Sequence, residues 1–262
     1  IMNFEYFCLT DTGLVRDNNE DSVALDTETH IAVLADGMGG YNAGEVASAM
    51  ATGFIKTELG RWITEGGFES SPRELRRAME VCVDNANRSI FNAANAHAGY
   101  AGMGTTLVMG VFGAGRAMIG HVGDSRCYRL RKGEFVQITR DHSLLQEQID
   151  AGILTPEQAA YSANKNLVTR ALGVEDSVQL EVNEIRLEDG DLFLFCSDGL
   201  SDMVSDERMA ALLLTAGSLE EKCHALVDAA NDAGGRDNIS VILAHASDRQ
   251  ARKGLLSRML GR

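Results

Sequence analysis

The sequence lacks any apolar run approaching the roughly 18 residues that a membrane-spanning helix requires, so no transmembrane segment is expected. Its start, IMNFEYFCLTDTG, has no basic stretch leading into an apolar one, so no signal peptide is read there. Ile1 ahead of Met2 reads as an addition to a native start, and the chain is compatible with a piece of a longer protein. No C-x-x-C pair is present. The five cysteines, Cys8, Cys82, Cys127, Cys196 and Cys223, are odd in number and widely spaced. That excludes a disulfide frame or a thiolate zinc site and fits reduced thiols in a cytoplasmic protein. There is no basic, aromatic-rich cluster in the body of the chain, so no nucleic-acid partner is expected. Neither Gly39-Gly40 nor Gly234-Gly235 belongs to a G-x-x-x-x-G-K-[ST] loop, which leaves them as turns. Cysteine-phosphatase and serine-nucleophile chemistry are not expected either; Ser125 and Ser197 read as locally bonded.

What is present is ordinary globular material, with 45% apolar and 24% charged residues in 262. The formal charge is -14. The last sixteen residues, SDRQARKGLLSRMLGR, carry five bases and one acid, so residues 1–246 hold -18. The tail 247–262 reads as a basic terminal segment, solvated or touching a membrane or partner. With no repeat, low-complexity tract or linker, one domain is expected over 1–246.

Short apolar runs at 22–25 and 30–35 predict a strand pair, and Val46, Met50, Phe54 and Leu59 predict a helix over 43–63. Pro72 opens a second helix through about residue 96. From Thr105 to about Thr139 the short β-rich runs predict an antiparallel meander with a hairpin at Lys132-Gly133. Residues 143–172 read as a polar, helical insert, 191–197 as a buried strand, 207–231 as helical and 238–246 as a last strand. Strands and helices in blocks predict α+β with antiparallel sheets.

Acids recur where strands meet loops. Asp36 follows IAVLA, Asp124 follows MIGHVG, Asp198 follows LFLFCS, Asp237 precedes the last strand, and Glu20-Asp21 precede SVAL. Strand ends hold side chains rigidly, and the neighbouring glycines let an ion approach the backbone. Carboxylates meeting at one sheet end need a cation, and hard oxygen ligands favour Mg²⁺, Mn²⁺ or Ca²⁺. Two such ions roughly 3.5–4 Å apart can share a bridging hydroxide that attacks phosphorus in line. Asp36 is the expected bridge. Each Asp alone is equally readable as a turn or cap residue; it is their joint pattern that points to metal.

The motifs RDNNED (16–21), ADGMGG (35–40), GTT (104–106), VGDSR (122–126), DHS (141–143), SDGL (197–200) and GGRDN (234–238) resemble those of protein phosphatase 2C, in family order over roughly residues 5–246. These are metal-dependent Ser/Thr phosphatases, and the chain is similar to bacterial members. The resemblance implies a central β-sandwich of two antiparallel sheets flanked by helices on both faces. It implies a binuclear Mn²⁺ or Mg²⁺ centre bridged by Asp36, with the Gly37 carbonyl on one ion and Asp198 and Asp237 on the other. Glu20 and Asp21 would act mostly through waters, and Asp124 with Asp198 would hold a weaker third ion. Arg16 would grip the substrate phosphate with its planar fork. Residues 143–172 would form a flap beside the site. The implied partners are phosphorylated proteins and a Ser/Thr protein kinase, and a monomer is expected.

One position departs from the resemblance. Many eukaryotic members have a general-acid His where this chain has Met38, and a thioether donates no proton. His142 is a candidate donor or a packing residue, and His121 reads as a core histidine. Activated aryl phosphates, whose leaving groups need little protonation, should therefore react well. The other functions weighed are a catalytically silent phosphoprotein-binding module and a two-metal hydrolase of small phosphoesters.

Overall fold

A computed structural model describes residues 2–67, 70–159, 161–162 and 167–248. The basic tail, apart from Ser247 and Asp248, lies outside the described residues. Two antiparallel sheets face each other. The first has the order β1 (Met2–Asp11), β11 (Ile239–Asp248), β10 (Leu192–Cys196), β7 (Arg126–Arg131), β8 (Glu134–Gln137). The second runs β2 (Asp21–Asp26), β3 (Ile31–Met38), β5 (Leu107–Gly113), β6 (Arg116–Val122), β9 (Glu181–Arg186), with the short β4 (Gly104–Thr105) on the end of β3.

Period-two alternation divides the apolar side chains among three cores. From β3, Ile31, Val33 and Ala35 face α1 (Ala43–Thr64) and α2 (Pro72–Ala96), while Ala32 and Leu34 face the other sheet. From β10, Phe193 and Phe195 point into the sandwich, where Phe112 meets them edge-on at 5.4 and 6.2 Å. Gly110 makes room for this cluster, since a Cβ there would sit 2.6 Å from Phe195 Cζ. Leu192, Leu194 and Cys196 point outward to α5 (Asp198–Ser201), α6 (Asp206–Leu214) and α7 (Leu219–Asp232). The layers are thus helix, sheet, sheet, helix, as the α+β sandwich expectation had it.

Local signals explain the helix ends. Ser71 and Glu74 form a reciprocal capping box with Pro72 in the first turn of α2. The helix expected over 207–231 is in fact two, because Ser218 and Glu221 make a second capping box that starts α7 afresh. On α1 the expected apolar positions Val46, Met50 and Phe54 are only partly buried. The stripe against the sheet is Ala47, Ala51, Ile55, Leu59 and Ile63, whose small members let the helix sit close. Strands β1 and β9 carry no strong apolar run and were not expected; both are edge strands, β1 half-buried along most of its length and β9 exposed at Glu181, Glu184 and Arg186. In the insert, α3 (Leu144–Asp150) and α4 (Pro156–Ala159) fall within the segment closed by a bridge of Ser143 to Val168, and a second bridge joins Leu172 to Thr105.

Candidate metal centre

Antiparallel pairing carries the acids to one end of the sandwich. Asp21, first in β2, stands opposite Asp36 in the register of β2 and β3. Asp198 follows β10 and Asp237 precedes β11, and these strands pair Cys196 with Val241. Asp124 closes the turn between β6 and β7.

The backbone around Asp36 is fixed by the GTT segment. Its N–H donates to Thr106 Oγ1 at 3.0 Å, and its carbonyl accepts from Thr106 N at 2.9 Å and Thr105 Oγ1 at 3.0 Å. Thr106 Oγ1 also pairs with Ser125 Oγ at 2.7 Å, next to Asp124. Gly37 donates its N–H to the Glu20 carbonyl at 3.1 Å. A Cβ on Gly37 would lie 2.0 Å from the Gly44 carbonyl, so only glycine lets the start of α1 come this close. The Glu20 carboxylate lies against that same helix start: a Cβ on Gly44 would sit 2.9 Å from its Oε2.

Asn238 and two serines were not picked out from sequence as structural members of this site. Asn238 Oδ1 accepts from Glu20 N at 2.8 Å, and its Nδ2 donates to the Thr12 and Asn18 carbonyls at 2.9 and 2.8 Å. One amide thereby stitches the whole 12–20 loop to the end of β11. Ser197 and Ser240 donate to Asp21 Oδ2 at 2.8 and 2.6 Å. The signal was available for Ser197 and Asn238, which flank Asp198 and Asp237 inside their motifs; Ser240 sits within an apolar strand and had none.

The electrostatics fit a cation site. Burial, and then the charges of Asp21, Asp198, Asp124 and Asp237, push the Asp36 carboxyl well above the usual carboxylate range. Asp198 is pushed up by burial and by Asp124, Asp202, Asp237 and Asp21. Burial, followed by the charge of Asp141, raises Asp124 to about 7, and burial raises Asp21 to about 6. Buried Oδ1 atoms of Asp21 and Asp198 have no hydrogen-bond partner. Buried acceptors without donors, held among like charges, are costly unless a cation meets them. The donor set is all oxygen, which suits Mn²⁺ or Mg²⁺. Asp124 and Asp198 also line a cavity of about 250 Å³ with Ser201 and Asp202, beneath α3 and α4.

Arg16 stands at the rim with its Nη2 2.7 Å from Asp237 Oδ2, half exposed. It is therefore close to the acids but paired with one of them. Met38 ends β3. His142 is 7% exposed and uses both ring nitrogens: Gly123 N–H donates to Nδ1 at 3.1 Å, and Nε2 meets Glu181 Oε2 at 3.1 Å. This is the packing reading of His142. His121 is fully buried and stacks on His142 at 4.6 Å. His121, His142 and Glu181 offer ligand atoms within 4.8 Å of one another. With Nδ1 of His142 taken by an N–H, its Nε2 must carry the proton it shares with Glu181, so both nitrogens of His142 are used; His121 Nε2 donates to the Arg140 carbonyl at 2.8 Å, and its buried Nδ1 has no hydrogen-bond partner.

All five cysteines are free. Cys82 and Arg88 do stand at the Cys-x5-Arg spacing of cysteine phosphatases, contrary to the expectation that nothing in the sequence supports that chemistry. Both lie within α2, however, where no loop can cradle phosphate. Burial pushes the Cys82 thiol up to about 12, and Arg88 pairs with Asp84. A thiol so far from ionised is no nucleophile.

Residues 12–243 match the family Protein phosphatase 2C. The protein phosphatase PhpP of Streptococcus pneumoniae is 37% identical over 251 residues, covering 94% of this chain and 99% of that protein. The crystal structure of the Mycobacterium tuberculosis serine/threonine phosphatase PstP/Ppp superimposes with a TM-score of 0.85 at 36% identity, over 94% of this chain and 99% of that one. The catalytic domain of the serine/threonine protein phosphatase PstP, in complex with two manganese ions, does so with a TM-score of 0.81 at 36% identity, over 95% and 100%.

Proposed function

The chain belongs to the protein phosphatase 2C family, and from that premise we infer that it is a metal-dependent phosphatase of phosphoserine and phosphothreonine whose work is done at the acidic strand ends. The observation that carries this is the convergence of Asp21, Asp36, Asp124, Asp198 and Asp237, with buried oxygens left unsatisfied and charges mutually repelling. Asp36, Gly37, Asp198 and Asp237 would hold two divalent ions, Glu20 and Asp21 would orient the waters around them, and Asp124 with Asp198 would hold a third. When bound, the cations supply neutralisation of developing charge and an activated water.

The chain's own residues do the rest. Arg16 would turn its fork from Asp237 to the substrate phosphate and hold it for in-line attack. Thr105, Thr106 and Asn238 hold the ligand backbones so that the acids need not reorganise. No side chain at Met38 or His142 protonates the leaving oxygen, so solvent does. The supporting partner is a phosphorylated protein, and the opposing activity would be that of a Ser/Thr protein kinase. The test is phosphate release from a phosphothreonine peptide with Mn²⁺ and with EDTA, beside a small phosphoester. Metal-dependent release from the peptide is expected. Turnover of the small ester alone would overturn the protein-phosphatase reading.

A further inference from the structure

Nine large apolar side chains are exposed among the described residues, and four of them belong to segments that border the acidic centre: Leu14 at 68%, Val15 at 64%, Tyr41 at 102% and Val174 at 56%. Exposed apolar groups scattered singly need no explanation, but several on the segments around one site do. These four are fixed to the site by separate contacts. Leu14 N–H donates to the Gly235 carbonyl at 2.7 Å, two residues before Asp237. Gly13, at φ +79°, brings the loop so close that a Cβ would sit 2.3 Å from the Asp237 carbonyl. Leu14 and Val15 are thus pressed onto the Asp237 turn and lead directly into Arg16.

Tyr41 comes from the other side, five residues after Asp36. Tyr41 and Asn42 both take left-handed backbone, at φ 51° and 64°. Two consecutive non-glycine residues there carry a conformational cost that the fold retains at the mouth of the site. Asn18 Nδ2 donates to Asn42 Oδ1 at 3.3 Å and ties this loop to the one bearing Arg16. Val174 completes the rim: a Cβ on Gly104 would meet Val174 Cγ2 at 3.0 Å and Met38 Cγ at 3.6 Å, so both side chains bracket the end of β3.

We propose that Leu14, Val15, Met38, Tyr41 and Val174 form a subsite for apolar side chains flanking the phosphorylated residue. The preferred substrate is then a phosphopeptide with apolar neighbours. This rests on the phosphatase reading above and names the substrate class of that same site. Continuity with the phosphate site supports the choice of occupant. Leu14 and Val15 run directly into Arg16, and Tyr41 stands five residues after Asp36, so residues flanking the phosphorylated one meet this rim.

The experiment compares kcat/KM, with Mn²⁺, for two phosphothreonine peptides that differ only in flanking residues: apolar or Ser/Gly. It uses wild type, Tyr41→Ser, a Leu14→Ser/Val15→Ser double variant, and Val81→Ser on α2 as a distant control. The wild-type preference for apolar over Ser/Gly flanks is expected to be about tenfold or more, the scale on which an apolar pocket discriminates. Both rim variants should collapse that ratio towards one, chiefly through KM, and Val81→Ser should keep it. Equal kcat/KM for apolar and Ser/Gly flanks in wild type would overturn the proposal. So would a preference that survives in both rim variants. If wild type cleaved neither these peptides nor p-nitrophenyl phosphate, the phosphatase reading would fall, and this inference with it; p-nitrophenyl phosphate turnover without flank preference overturns the subsite alone.

Discussion

Removing the divalent ions should make this protein less stable as the pH rises through neutrality, the reverse of ordinary acid denaturation. In the ion-free fold Asp124 titrates at about 7 against an ordinary 3.8, and Asp21 at about 6, both because burial disfavours the charged form. The folded state therefore binds these protons more tightly than the unfolded chain does. Stability is fully present below the unfolded carboxylate pKa near 4 and is lost as pH climbs through the folded values near 6 and 7. At about 1.4 kcal/mol per pK unit, Asp124 alone accounts for roughly 4 kcal/mol between pH 4 and pH 7.5. For a chain of this size that is on the order of 10 °C in melting temperature. Carboxylates held below their ordinary values by hydrogen bonds, such as Asp26, act in the opposite sense but only below about pH 4, outside this window. The assay is thermal unfolding followed by circular dichroism from pH 5 to pH 8, in EDTA and in saturating Mn²⁺. The EDTA curve should fall with pH, and Mn²⁺ should raise the midpoint far more at pH 7.5 than at pH 5.5, because cations compete with protons for the same oxygens. A midpoint in EDTA that rises or stays level from pH 5 to pH 7.5 would refute the reasoning.

Arg16→Ala should raise KM for a phosphopeptide about tenfold to a hundredfold, as loss of a charge-assisted hydrogen bond implies, and Arg16→Lys should restore little of it; steady-state kinetics decides, and full rescue by Lys would remove the bidentate role. Gly199→Ala should cost about 3 kcal/mol or more in urea unfolding, because its Cβ would lie 1.9 Å from the Asn238 carbonyl, which must not move if the 12–20 loop is to stay in place. Across a series of aryl phosphates, turnover should drop steeply as the leaving phenol becomes more basic, and His142→Gln should leave that slope unchanged; a flat plot would reveal a general acid among the protein side chains.

The strand-end acids were legible because each stands in a short motif where a strand starts or stops, and Asp36, Asp124 and Asp198 stand beside glycine. Their convergence was not readable from any one of them, since it depends on the register that sets Asp21 opposite Asp36 and on the antiparallel return that sets Asp237 beside Asp198. The buried strands β3 and β10 were equally legible as apolar runs. Edge strands β1 and β9 were not, because one-sided burial leaves polar residues such as Glu5, Asn183 and Glu184 in the pattern. Nor was the break between α6 and α7, where only the Ser218 to Glu221 capping box marks the new start. Arg16 shows a different limit: its residue type suits phosphate, but its pairing with Asp237 is a property of the assembled site.

The most direct test of the central claim, that these carboxylates hold the ions which make the protein a phosphatase, is a Mn²⁺ titration of ion-free protein. Bound metal and phosphothreonine-peptide turnover should be read in the same samples, for wild type and Asp36→Asn. The account predicts at least two bound ions in wild type, with turnover rising as the second binds. In Asp36→Asn both binding and turnover should fall at least a hundredfold while the fold, freed of one buried charge, melts no lower without metal. Undiminished turnover in EDTA, or Asp36→Asn protein as active as wild type, would contradict it.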